Sequence, residues 1–278
     1  MLWLQGVNVG ASYDVEINEI DVSPVQIQGP KSVDLMVDLV GPAAAELPPY
    51  GLMTATVGGC DVVVSQTGFS GEKGYEIYLR DATMHAEQLW DAVLDAGTSH
   101  ELMVVAPAHH RRIAAGILSW GQDMDFETLP FQVNLGYQVP RTKEAEYVGK
   151  RVLEDARAAI EAGDPPYTHT LVGMKLGGNP IDDYAPDFWL ISASPSGDPV
   201  GYVTSPWYSP ELETNIAMGY VPVELAALDT ELWVHLPEPY AETAGEPVPA
   251  QVVEMPFRPS VNPNQREILK ARGLDAAV

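Results

Sequence analysis

The sequence predicts an α+β domain followed by a small antiparallel β-barrel, and three features carry that expectation. Before about residue 145, short strand-like runs alternate with amphipathic helical stretches, the pattern of helices laid on one face of a sheet. After Thr168 the chain changes to short β-rich runs, HTLVGMKL, DFWLISA, PVGYVTS, TNIAMGYV, ELWVHL and PVPAQVVEM, separated by Gly, Pro, Asn and Asp, as a small barrel requires. Between the two lies Gly163-Asp164-Pro165-Pro166, a linker by composition. The expected domains are residues 1–145 and, with the linker helix and the tail, residues 146–278.

Tyr13 to Ile20 alternates as a half-buried strand, and Val22 to Ile27 reads as another. Gly29-Pro30 then opens an amphipathic helix over Lys31 to Val40. Leu52 to Val57 and Asp61 to Gln66 form a hairpin around Gly58-Gly59, and Tyr75 to Leu79 is the next strand. Met84 to Ala96 is a helix with Leu89, Trp90, Val93 and Leu94 turned inward and Gly97 as its stop. A further helix starts at Pro107, suited to a first turn, and runs through HHRRIAAGILSW. Gly149 to Ala162 is the linker helix, and the tail after Phe257 is expected as a surface arm with room for one short helix.

With 278 residues and 46% hydrophobic content the chain can bury a sizeable core. Its formal net charge of -24 repels phosphate backbones and anionic membranes, so neither nucleic acid nor a membrane is an expected partner. Cys60 is the only cysteine, which excludes an internal disulfide and a clustered thiolate metal site. The first residues have neither a basic leader nor a long apolar run, so a cytoplasmic protein is expected.

The most informative stretch is SQTGFSGEKGYEIY, Ser65 to Tyr78, a glycine-spaced loop entering a strand whose one acidic residue is Glu76. Gly68, Gly71 and Gly74 let the main chain come close to a flat ligand, and Glu76 is the group such a loop presents. The plainer alternative is a hairpin turn with a solvent-facing glutamate. Gln26 and Gln28 alternate onto one strand face and can offer amides to a ligand or pair with backbone. His109, His110, Arg111 and Arg112 are the most basic cluster, a dock for an anion or a structural ion-pair site. Helical geometry lets only some of the four face a cavity. Trp120 can stack on a ligand ring or fill the core, and Trp207 and Tyr208, in what reads as a proline-bounded turn, can cap a cavity or anchor the barrel. No metal is expected, because adjacent histidines do not share a helix face. Phosphate-loop and nucleophile-elbow patterns are absent.

The glycine loop resembles the folate-binding signature of the glycine-cleavage T-protein family, and the resemblance extends in the same order to VSPVQIQGPKS (22–32), RRIAAGILSWGQDMDFETLPFQVNLGY (111–137) and VGYVTSPWYSPELETNIAMGY (200–220). It implies a T-protein-like folate-binding domain, incomplete at its N-terminus, followed by the family's barrel. In the family the glutamate matching Glu76, not Glu72, holds the pterin ring of tetrahydrofolate. A pterin offers two parallel donors, which a carboxylate can accept. The family pattern also has an earlier segment that carries the aspartate considered catalytic. The sequence begins inside that pattern, so the expectation is a truncated gene product or a separate chain supplying the rest.

The family's T-protein has a cofactor-holding arginine where this sequence has Ala108. That departure and the double arginine are more similar to the family's demethylases, those acting on dimethylsulfoniopropionate, vanillate or syringate. The implied function is therefore transfer of a methyl group from a small S- or O-methylated substrate to tetrahydrofolate. His109 or His110 would act as the acid, and Glu76, Gln26, Gln28, Arg111, Arg112 and Trp120 would hold the folate. Two rival readings stand beside it. One is the aminomethyltransferase itself, with a lipoylated carrier protein as partner, and the other is a folate-binding assembly or regulatory protein without turnover.

Overall fold

The computed structural model describes residues 1–183 and 188–258. By packing, the chain divides into two compact units, residues 1–68 with 72–104, and residues 69–71 with the chain from 105 onward. The first unit is a four-stranded antiparallel sheet of β1 (Val22–Gln28), β2 (Leu52–Val57), β3 (Cys60–Ser65) and β4 (Gly74–Arg80), in the order β1-β4-β3-β2. Strand alternation assigns Ile27, Val62, Val64, Tyr75, Ile77 and Leu79 to one face, where they are buried with Leu35 and Met36 of α2 (Ser32–Val40) and Leu89 and Val93 of α4 (Ala82–Gly97). A short α3 (Ala43–Glu46) follows α2, and its Ala44 carbonyl accepts the Tyr75 hydroxyl at 2.8 Å. Trp90, expected to point inward, is 40% exposed at the flank of α4.

The N-terminal stretch departs from expectation. Leu2–Ala11 is a helix, α1, none of whose residues is buried, and Tyr13 to Ile20 forms no strand. The alternation of Val15, Ile17 and Ile20 is there, but a strand exists only against a neighbour, and among the described residues β1 pairs only with β4. Gly6 and Gly10 disfavour helix, and so they concealed α1 from a pattern reading.

In the second unit the six expected β-runs become β5 (His169–Leu176), β6 (Trp189–Ser192), β7 (Pro199–Ser209), β8 (Thr214–Pro222), β9 (Glu231–Val234) and β10 (Val248–Val253). They close into an antiparallel barrel in the order β10-β5-β8-β7-β6-β9. Met174, Ile191, Ala217, Val221, Leu232, Val234 and Val252 belong to its core. β8 is buried on both faces, because Ile216, Met218 and Tyr220 lie in a second cluster with Ile113 and Ala114 of α5 (His109–Ala114) and Val133 of a 3-10 turn. Residues 105–145 thus pack with the barrel. This division by packing differs from the boundary expected at 145/146. Helix α6 (Lys150–Glu161) matches the linker helix.

The α5 helix is much shorter than expected. Gly116, at φ +67°, donates its N–H to the Ile113 carbonyl at 2.9 Å, and the Ile117 N–H reaches the Arg112 carbonyl at 2.8 Å. This pair of bonds closes a helix on a left-handed glycine. Trp120 therefore lies beyond the helix that it was expected to end. Most of the surface arm expected after Phe257 lies outside the described residues.

Candidate functional site

The sheet face opposite α2 and α4 carries the polar side chains. Cross-strand register puts Gln26, Glu76 and Ser65 side by side, with Tyr78 two residues along β4 on the same face. Glu76 Oε2 accepts hydrogen bonds from the hydroxyls of Thr67 and, at 3.0 Å, Tyr78. Thr67 in turn lies 2.5 Å from the Ser65 hydroxyl. Both described hydrogen bonds fall on one carboxylate oxygen, which fixes the rotamer and leaves the second oxygen, Oε1, without a described donor. Burial and the neighbouring Glu76 charge raise the Tyr78 pKa, so the phenol stays protonated and a donor at neutral pH.

Gln28 does something else. Its amide donates to the carbonyls of Thr67 (3.2 Å) and Tyr75 (3.3 Å), pinning both ends of the glycine loop. A Cβ on Gly68 would come within 2.1 Å of Gln28 Oε1, and one on Gly74 within 2.5 Å of Gln28 Cδ. Those two glycines make room for the amide. Gln28 is thus the backbone-paired amide of the plainer alternative, while Gln26 is exposed beside Glu76. Glu72 is half-buried in the loop.

In the second unit the basic cluster is split. Arg112 is buried, with Nη1 donating to Asp123 Oδ2 at 3.0 Å and Nη2 to Ser205 Oγ at 2.9 Å and Gln122 Oε1 at 3.2 Å. Its guanidinium is held in a buried ion pair with Asp123. Arg111 is exposed. The His109 ring is stacked on Trp207, centroids 5.4 Å apart and planes 22° from parallel. Burial, then the Arg112 charge, lowers the His109 pKa, against an opposing pull from Asp123. Burial, then Arg111 and Arg258, lowers that of His110. Trp207 and Tyr208 lie within strand β7, not in a turn. Trp120 is 57% exposed and packs edge-on against Phe126 at 4.8 Å.

Among the described residues no cluster of histidine, cysteine and carboxylates could hold a metal ion, and no helix is long and apolar enough to cross a membrane. Sequence reasoning missed Thr67, Tyr78, Asp123 and Ser205. Only the first two had a local signal, a hydroxyl beside the glycine loop and another two residues after Glu76.

Comparison with known proteins places this geometry in a lineage. Residues 1–143 match the family model of the GCVT N-terminal domain, and residues 170–258 match that of the glycine cleavage T-protein C-terminal barrel domain. The chain belongs to the glycine cleavage T-protein family. It is 36% identical over 233 residues to the aminomethyltransferase of Parasynechococcus marenigrum (strain WH8102), a match covering 83% of this chain and 58% of that protein. It is 31% identical over 235 residues to the dimethylsulfoniopropionate demethylase DmdA of Ruegeria pomeroyi, covering 84% and 60%. The T-protein fold is also that of the glycine cleavage system aminomethyltransferase T from Bartonella henselae, at a TM-score of 0.68 and 23% identity over 87% of this chain and 61% of that one. The chain thus spans about three fifths of the length of these T-protein relatives.

Proposed function

We propose that this T-protein family member binds tetrahydrofolate at Glu76 and passes a methyl group to it from a small S- or O-methylated substrate. The observation that carries the reading is the carboxylate of Glu76, held by Thr67 and Tyr78 through Oε2 with Oε1 left for a ligand. Oε1 can accept one of the amino and ring N–H donors that a pterin presents. Tetrahydrofolate would supply the nucleophilic nitrogen that accepts the methyl. The chain's part is to hold and orient it, and orientation alone supplies much of the rate in such transfers. In the second unit, Trp207 offers an aromatic surface of the kind that attracts a sulfonium, worth about 0.5–2 kcal/mol. A methoxyarene would instead need a proton donor at its leaving oxygen, a role His109 would fill only in its charged form, which its lowered pKa confines to more acidic pH.

Support for a demethylase comes from likeness to the demethylase of Ruegeria pomeroyi and from Ala108. A second reading, aminomethyl transfer from a lipoylated carrier protein, is favoured by the aminomethyltransferases among the relatives. Assays with dimethylsulfoniopropionate, a methoxybenzoate and an aminomethylated lipoyl carrier separate them. Glu76 is tested by calorimetric titration of tetrahydrofolate. Glu76→Gln replaces an acceptor with a donor and should lose about 1.5–3 kcal/mol, or about tenfold to a hundredfold in affinity. Glu72→Gln should change it little. Equal affinity of Glu76→Gln and wild type would remove this site.

A further inference from the structure

Asp123 is fully buried, and its carboxylate accepts four donors. Oδ2 takes Arg112 Nη1 at 3.0 Å and the Ser119 N–H at 2.8 Å, and Oδ1 takes the hydroxyls of Thr204 at 2.6 Å and Ser205 at 2.5 Å. Its backbone carbonyl accepts the Tyr220 hydroxyl at 2.7 Å. Ser205 also accepts from Arg112 Nη2, so one hydroxyl links both ends of the ion pair. The cluster ties α5, the loop after it, β7 and β8 to one point.

A buried ion pair contributes little net stability, since desolvation offsets the attraction, and well-packed apolar groups often do as well. What the polar cluster adds is direction. On α5, His109 and Arg112 are three residues apart and share a face. On β7, Ser205 and Trp207 are two apart and share a face. The contacts Arg112–Ser205 and His109–Trp207 are therefore two successive rungs between the same helix and strand. A hydrogen-bonded rung accepts one register only, whereas a stacked aromatic rung alone would tolerate sliding.

We propose that Asp123 is a positioning residue, which through Arg112 and Ser205 fixes the register of α5 on β7 and so lays the His109 imidazole on the Trp207 indole. Its consequence for turnover rests on the methyl-transfer reading above; the positioning does not.

The test uses the full chain, with the ring-proton resonances of His109 followed by NMR in wild type, Asp123→Asn and Ser205→Ala. Trp207→Leu gives the resonance positions without the indole ring current. Both variants should move the His109 resonances toward those of Trp207→Leu, while amide signals of residues 22–68 and 72–80 stay in place. If Asp123→Asn does not fold, Ser205→Ala decides alone. A folded variant with His109 resonances at wild-type positions overturns the proposal. In the methyl-transfer assay, kcat should fall about tenfold to a hundredfold with tetrahydrofolate affinity unchanged. Moved resonances without methyl transfer in any form, wild type included, would leave the positioning standing and sink the functional reading instead.

Discussion

Arg111 lies exposed on α5 while Arg112, one residue later, is sealed against Asp123. The difference follows from helix geometry, because about 100° of rotation separates neighbours and only one of the two can face the barrel. Arg112→Ala leaves Asp123 buried and unpaired and should cost about 3–5 kcal/mol. Arg111→Ala, at the surface, should stay within about 1 kcal/mol, the range of a solvent-exposed contact. Urea unfolding of the two variants measures the contrast, and equal losses would refute this division of roles. The histidines add a pH dependence of definite sign. His109 and His110 have folded pKa values lowered by burial and nearby arginines from the ordinary 6.5, so the unfolded chain binds protons first as the pH falls. Their contribution to stability is therefore undiminished above the unfolded pKa and is lost as the pH drops through it toward the folded values. His110→Gln should flatten the fall in urea midpoint over that window, and an unchanged slope would count against it.

At the scale of elements, the glycines of the loop between β3 and β4 act through what they leave out. A Cβ on Gly74 would meet the Ile27 carbonyl oxygen at 2.6 Å as well as the Gln28 amide, so Gly74→Ala must shift backbone at the β1–β4 pairing. It should destabilise by about 1–3 kcal/mol. Gly10→Ala, in α1 with nothing within 4 Å, should instead stabilise by a few tenths to about 1 kcal/mol. Thermal unfolding of the pair tests the assignment. This contrast also explains what was legible in the sequence. The barrel strands were readable because their apolar runs and turn residues are local, and Glu76 was readable because the glycines beside it are. The stop at Gly116 was hidden by continuing helical periodicity, and Tyr13 to Ile20 was misread because alternation does not reveal whether a pairing neighbour exists. Asp123 was invisible, since its hydroxyl partners Thr204 and Ser205 lie 81 and 82 residues away in sequence.

At the scale of the whole molecule, 39 acidic against 15 basic residues leave a net charge of -24. Like charges spread over the surface oppose the compact state. Surface ion pairs such as Lys31–Glu101, Arg141–Glu161 and Lys150–Glu146 work the other way, but each such pair is worth about 0–1 kcal/mol. Added salt weakens both effects, because the screening length falls from about 10 Å at 0.1 M to about 3 Å at 1 M. The buried Arg112–Asp123 pair is scarcely screened. Self-repulsion among 39 acidic against 15 basic residues outweighs pairs that are each worth so little, so screening should stabilise the fold. We expect the first unfolding transition to rise steadily between low salt and about 0.5 M sodium chloride, by about 2–4 °C for each kcal/mol of repulsion removed. Chloride and sulfate at matched ionic strength separate screening from salting-out, since sulfate also strengthens apolar burial. A transition that falls as sodium chloride is added would mean that the surface pairs outweigh the net charge.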